Sequence, residues 1–85
     1  MGKVPAAEST LAVLTFLAGQ SRPVAASRIA ATLSIPRSTT YDLLGVLVAA
    51  GFVIRYDAER AYGLGPAAYE LSFAYQRQAP LAIVG

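Results

Sequence analysis

The 85-residue chain has no cysteine and no histidine. Without cysteine there are no disulfides and no thiolate metal sites. Without histidine, the commonest metal ligand and the commonest general base are both missing. Lysine occurs once, at Lys3. Ser9, Thr10 and Ser38 therefore have no His, Cys or Lys base to activate them as nucleophiles, and neither an enzyme nor a cofactor site is expected. Charge is also scarce, at 14% of residues, against about 25% in an average soluble domain. Long hydrophobic runs are lacking too. Hydrophobic residues make up 55% of the chain, but the excess comes from dispersed alanines. No stretch approaches the roughly 18 uninterrupted apolar residues of a membrane span. Met1-Gly-Lys-Val-Pro-Ala-Ala-Glu has no apolar run behind its Lys, so it does not read as a secretory signal. The formal net charge of +2 permits a polyanionic partner without demanding one; local placement has to decide.

What is present is a change of period. Leu11, Leu14, Leu17 and Ala18 recur at helical spacing and predict a first helix over Ser9 to Ala18, ended by Gly19. Residues 1–8 are expected to be a flexible N-terminus. Gln20-Ser21-Arg22-Pro23 reads as a loop, with Val24 a candidate for a very short strand. Ala26 to Leu33 reads as a second helix, with Ile29, Ala30 and Leu33 facing inward. Ser34-Ile35 forms a turn with Ile35 as the apolar plug beneath it. A third helix covers about residues 36–50, with Pro36 near its first turn and Gly51 as its C′ residue. Its inward stripe is Thr40, Leu43, Leu44 and Leu47. The period then drops to two. Phe52 to Tyr56 and Ala61 to Leu64 read as strands joined by a turn at Asp57-Ala-Glu-Arg60. Gly65-Pro66 breaks the pattern, and Ala67 to about Gln78 predicts a fourth helix. Pro80 ends or kinks it before a short apolar tail, Leu81 to Gly85.

The expected fold is mainly α with a small β-hairpin: a winged helix-turn-helix over residues 9–65, followed by a linker helix and tail over residues 66–85. In such a fold the third helix lies in the DNA major groove and its N-terminal residues reach base edges. With the inward stripe set, Arg37, Ser38, Tyr41, Asp42 and Gly45 point outward. Arg37 can donate two hydrogen bonds to guanine O6 and N7. Ser38 and Thr39 can reach a base or a phosphate. Tyr41 can meet a phosphate through its hydroxyl or a thymine methyl through its ring. Asp42 is the odd member, since a carboxylate is repelled by DNA unless it accepts from cytosine N4 or orients an arginine. Gly45 allows close backbone approach, to DNA or to the first helix. Ser27 and Arg28 begin the second helix, whose N-terminus favours phosphate. Arg55 and Arg60 lie on the wing, where arginines run along phosphates or enter the minor groove. Asp57 and Glu59 set two negative charges beside them. About four to six phosphate contacts per chain would make binding strongly salt-dependent.

Three strings at their particular separations carry a resemblance. They are Leu33-Ser-Ile-Pro-Arg-Ser-Thr-Thr-Tyr-Asp-Leu-Leu, Leu47-Val-Ala-Ala-Gly-Phe-Val and Tyr62-Gly-Leu-Gly. Together they resemble the N-terminal DNA-binding domain of IclR-type transcriptional regulators. In that family a Leu-Pro-Lys/Arg-Ser-Thr segment opens the recognition helix, Leu-x-x-x-Gly-Phe/Tyr-Val closes it, and Tyr-x-Leu-Gly ends the wing. The resemblance covers about Thr10 to Gly65 and continues into the linker helix. It implies a cytoplasmic, bacterial-type repressor or activator, associated with the nucleoid while bound to its operator. It implies a homodimer on a palindromic operator in double-stranded DNA, with half-sites about 34 Å apart in a simple dimer. It also implies a small-molecule effector acting through a C-terminal domain that these residues do not contain. Helix 1 and the linker helix contribute to dimerisation in the family. Ala12 and Phe16, off the inward stripe, and Phe73 and Tyr75 on helix 4 are the candidate interface residues. Two other functions fit the same elements. The acidic wing tip and Asp42 suit a winged-helix protein–protein interaction module. A nonspecific nucleic-acid binder would use the arginines and ignore Tyr41 and Asp42.

Overall fold

A computed structural model describes residues 4–79. Pro80 and the tail Leu81 to Gly85 lie outside the described residues. The elements run α1 (Pro5–Ala18), α2 (Ala26–Leu33), α3 (Arg37–Ala49), β1 (Val53–Tyr56), β2 (Ala61–Leu64) and α4 (Pro66–Gln78). This is the winged helix-turn-helix order, with three helices, an antiparallel hairpin and a trailing helix.

α1 departs from the expectation at its start and on its buried face. It begins at Pro5 rather than Ser9, with Val4 as N-cap. Proline at this position suits a helix start, because its missing N–H is one of those left unbonded there. Residues 5–8, expected outside the helix, form its first turn. Leu11, expected inside, is 64% exposed, and Ala18 is exposed as well. The buried pair is Val13 and Leu17, four residues apart, with Leu14 and Phe16 packed partly against the core. Apolar residues surround most of α1, so several faces satisfy a helical period. Packing selected the one centred on Val13.

The other two helices keep their expected faces. α2 buries Ile29 and Ala30, and α3 buries Thr40, Leu43, Leu44 and Leu47. Thr40 is the one polar residue among the described residues that is fully buried. Its hydroxyl donates to the Pro36 carbonyl at 3.0 Å, so no polar group is left unpaired by its burial.

The turn between α2 and α3 is set by a Schellman cap. Ser34 adopts the left-handed conformation, φ 56° and ψ 44°. The Ile35 N–H donates to the Ala30 carbonyl at 3.0 Å, and the Ser34 N–H to that of Ala31 at 3.4 Å. The motif favours an apolar residue after the left-handed one, and Ile35 packs against the core there. α3 ends with the same motif. Gly51 has φ 86°, the Phe52 N–H donates to the Leu47 carbonyl, and the Gly51 N–H donates to that of Val48. One cap uses glycine, the other accepts a serine.

The wing pairs Val53 with Leu64, Ile54 with Gly63, Arg55 with Tyr62 and Tyr56 with Ala61. Val24 makes the short strand expected of it. Its N–H and carbonyl exchange hydrogen bonds with Tyr62, both at 2.8 Å. Gly63 leaves room for the Tyr56 ring, which a Cβ there would meet at 3.3 Å, with Pro23 at 3.7 Å. The hairpin is thus fastened to the loop before α2 by backbone and by ring packing. Gly65 then crosses the end of α3. A Cβ on Gly65 would lie 2.5 Å from the Gly51 carbonyl oxygen. The Gly65 N–H donates to the Phe52 carbonyl at 2.8 Å, and the Ala67 N–H to that of Gly51 at 3.0 Å. This crossing fixes where α4 leaves the domain.

Candidate nucleic-acid interface

Docking the wing beside α2 and α3 encloses an open groove of about 360 Å³. The start of α2 contributes Ala25, Ala26 and Ser27, α3 contributes Arg37 and Tyr41, and the wing contributes Arg55, Arg60 and Tyr62. Residues far apart in sequence thereby share one concavity. Three of its lining side chains are arginines and none is acidic, so the field in the groove favours an anion.

The sequence-level candidates divide among this groove and its margins. Ser27, Arg37, Tyr41, Arg55 and Arg60 line it. Arg28, Ser38 and Asp42 are exposed but do not line it, and Thr39 is half-buried. Tyr41 is 52% exposed, not packed away beneath the wing. Arg37 stands at the first position of α3, and no side chain caps that helix. α2 also lacks a side-chain cap, with Ala25 at its N-cap. The first-turn N–H groups of both helices are therefore without side-chain acceptors. Helix N-termini in that state attract phosphate oxygens.

The wing tip is less simple. The Arg55 Nε lies 3.0 Å from an Asp57 carboxylate oxygen, with both side chains largely exposed. An exposed pair of this kind is worth little to stability, and its guanidinium can be released to a phosphate. It is the only salt bridge among the described residues; Asp42 joins none. Arg60 has a left-handed backbone, φ 53°, and its N–H closes the turn onto the Asp57 carbonyl at 3.2 Å. A glycine would take that conformation more easily. Tyr62 was not foreseen as part of the groove. It is 8% exposed, and its backbone pairs with Val24 before α2, a contact that no local pattern announces.

The second set of candidates lies on α1 and α4. Ala12 and Phe16 are half-buried, and Phe16 packs partly against the domain's own core. Phe73 and Tyr75 are 46% and 62% exposed. Tyr69 and Leu71, not singled out from sequence, are equally open at 64% and 58%. Tyr69 and Phe73 meet edge to face, with ring centroids 4.8 Å apart. Leu71 lines a shallow apolar groove with Leu14, Thr15, Ala18, Phe52 and Leu64.

Comparison with known families returns one model, the IclR helix-turn-helix domain, matched over residues 6–56. That span holds α2, the turn, α3 and β1, together with most of α1. The chain belongs to the IclR helix-turn-helix family. This domain is the DNA-binding part of transcriptional regulators. Solved structures agree. Pseudomonas aeruginosa HmgR is similar with a TM-score of 0.80 at 29% identity, over 88% of this chain and 32% of HmgR. An IclR transcriptional regulator from Alicyclobacillus acidocaldarius is similar at 0.79 and 28%, over 94% of this chain and 31% of its own. The Agobacterium tumefaciens repressor BlcR, at 24% identity over 88% of this chain and 30% of its own, shares the fold with a TM-score of 0.78. The chain thus spans about a third of each of these proteins. No curated protein gives a significant match. No helix among the described residues of this IclR domain is long and apolar enough to cross a membrane.

Proposed function

We propose that this domain reads an operator with α3 in the major groove and the wing along the flanking backbone. The observation that carries the reading is the shared groove, where Arg37 and Tyr41 of α3 meet Arg55 and Arg60 of the wing and Ser27 of α2. Arg37 is the base-reading residue, with a guanine as its partner through O6 and N7. Ser38 and Tyr41 contact the same stretch of groove. Asp42 accepts from a cytosine amino group or is held off the duplex. Ser27, Arg28 and the open N-terminus of α2 hold one phosphate run. Arg55 and Arg60 hold another, with Arg55 exchanging Asp57 for phosphate. Thr39, half-buried, is placed for a phosphate rather than a base.

A second copy binds the other half of a palindrome. The exposed aromatics of α4, with Ala12 and the open edge of Phe16 on α1, supply its contact surface. Selection of duplexes from a random pool on the purified chain at low salt, followed by sequencing, tests the reading. An enriched inverted repeat is expected. A single enriched half-site would retain the reader and remove the pairing. Salt-sensitive retention without any enriched sequence would replace operator reading by nonspecific binding. A folded sample that retains nothing would leave the acidic wing tip and Asp42 as a surface for a protein partner.

A further inference from the structure

Glycine in a helix interior lowers helix stability relative to alanine, so an interior glycine needs a reason. At three other glycines of this domain the reason is internal. Gly51 has a positive φ, Gly63 lies under the Tyr56 ring, and Gly65 crosses the Gly51 carbonyl. Gly45 sits in the middle of α3, has no positive φ, and a Cβ built on it meets nothing within 4 Å. The first helix is therefore not what approaches it. Nothing among the described residues of the domain requires its bare backbone.

Its position points to what does. Ser38, Asp42 and Gly45 follow one another at i, i+4 and i+7, and so lie on one face of the helix. That face is opposite Thr40, Leu43, Leu44 and Leu47, and all three residues are exposed. Gly45 also stands one turn beyond Tyr41, which lines the arginine groove. A helix with its side chains is about 10–12 Å across, and the major groove is about 12 Å wide and 8.5 Å deep. A helix that fills the groove so closely comes nearest to the base pairs along its outermost line.

We infer that Gly45 is a specificity-determining position at which the α3 backbone abuts a base edge on the floor of the major groove. The inference rests on the operator reading above. Gly45 offers no side-chain donor or acceptor. The edge it meets is then an apolar one, the thymine methyl, and the discrimination is steric.

The test compares wild type, Gly45→Ala, Gly45→Leu and Arg37→Ala for thermal midpoint, and for affinity towards the duplex selected by the wild type. Gly45→Ala should raise the midpoint by about 4–8 °C, as expected for a relieved helix glycine in a domain of this size, and should weaken binding at least tenfold. Gly45→Leu should weaken it further, and both should lose the preference at one base pair that Arg37→Ala retains. Gly45→Ala with a raised midpoint and wild-type affinity would overturn the inference. So would a change in self-association with affinity per bound copy unaltered, which would assign the close approach to a second copy. If the wild type selects no sequence while Gly45→Ala behaves as it does, both the operator reading and the inference fall. If the wild type selects a sequence that Gly45→Ala binds equally well, the inference falls alone.

Discussion

α3 and α4 are each 13 residues long, yet their surroundings are opposite. α3 buries four residues in the core and turns Arg37, Ser38, Tyr41, Asp42 and Gly45 outward. α4 buries none and exposes Tyr69, Leu71, Phe73 and Tyr75. α3 is held by the domain, and its exposed face carries Val46 and Val48 as well as those outward residues. α4 is tied down mainly at its start, where Ala67 bonds to Gly51, and its exposed surface mixes Tyr69, Leu71, Phe73 and Tyr75 with Glu70, Ser72, Gln76, Arg77 and Gln78. Helices gain most of their stability in water from packing an apolar face. α3 has that packing already. α4, with no buried residue, has little of it. α3 is embedded and carries the candidates for the proposed reading surface, whereas α4 is exposed and carries candidates for the proposed assembly surface.

Mutations that strike α3 from inside should have the largest effect. Leu44 is 1% exposed, and truncating such a residue to alanine costs about 2–5 kcal/mol. Leu44→Ala should lower the thermal midpoint of the chain steeply, and its duplex binding should fall with the folded fraction. Gly65→Ala comes next. Its Cβ would press on the Gly51 carbonyl oxygen at 2.5 Å, so backbone rather than a yielding side chain must move, at about 1–3 kcal/mol. Chemical denaturation should register this loss, with the start of α4 opening first by hydrogen exchange.

The wing offers a change in which stability and binding move in opposite directions. Arg60→Gly relieves a left-handed backbone and should stabilise the fold by about 1 kcal/mol. It should also reduce the slope of log affinity against log salt by about one, as the loss of one phosphate contact does. Smallest for the fold should be the pair Phe73→Ser and Tyr75→Ser. Exposed side chains outside the core change stability by about 0.5 kcal/mol or less. The doubly substituted chain should melt as the wild type does when dilute, and should associate more weakly in sedimentation. A large drop in its midpoint under those conditions would show that α4 belongs to the core after all, and would remove the contrast with α3.

The sequence disclosed these two surfaces unequally. The face of α2 was legible because its apolar residues share one helical phase, and that of α3 through Thr40, Leu43, Leu44 and Leu47, although Val46 and Val48 stand exposed beside them. The cap at Gly51 was legible because glycine takes a positive φ without strain. Ser34 does the same work without glycine, and only the apolar Ile35 after it marks the motif. α1 was misread in phase because Leu11, Val13, Leu14, Phe16 and Leu17 satisfy more than one stripe. Its start was misread because the apolar spacing begins only at Leu11, while the chain is already helical from Pro5. Arg37 and Tyr41 were legible as outward residues, since they follow from the inward stripe of α3. That they share a groove with Arg55, Arg60 and Tyr62 was not, because it depends on how the wing packs beside α2 and α3, which residues distant in sequence decide. The openness of Tyr69 and Leu71 was equally hidden, because helical spacing gives no sign of whether a neighbour covers a face.

The central claim is that the outer face of α3, led by Arg37, reads bases. It is tested most directly by repeating the duplex selection with Arg37→Ala beside the wild type. The account predicts an unchanged thermal midpoint, an affinity lower by about 1–3 kcal/mol, and a relaxed preference at one base pair with the rest of the half-site intact. An unchanged sequence preference, or an equal loss on every duplex, would contradict it.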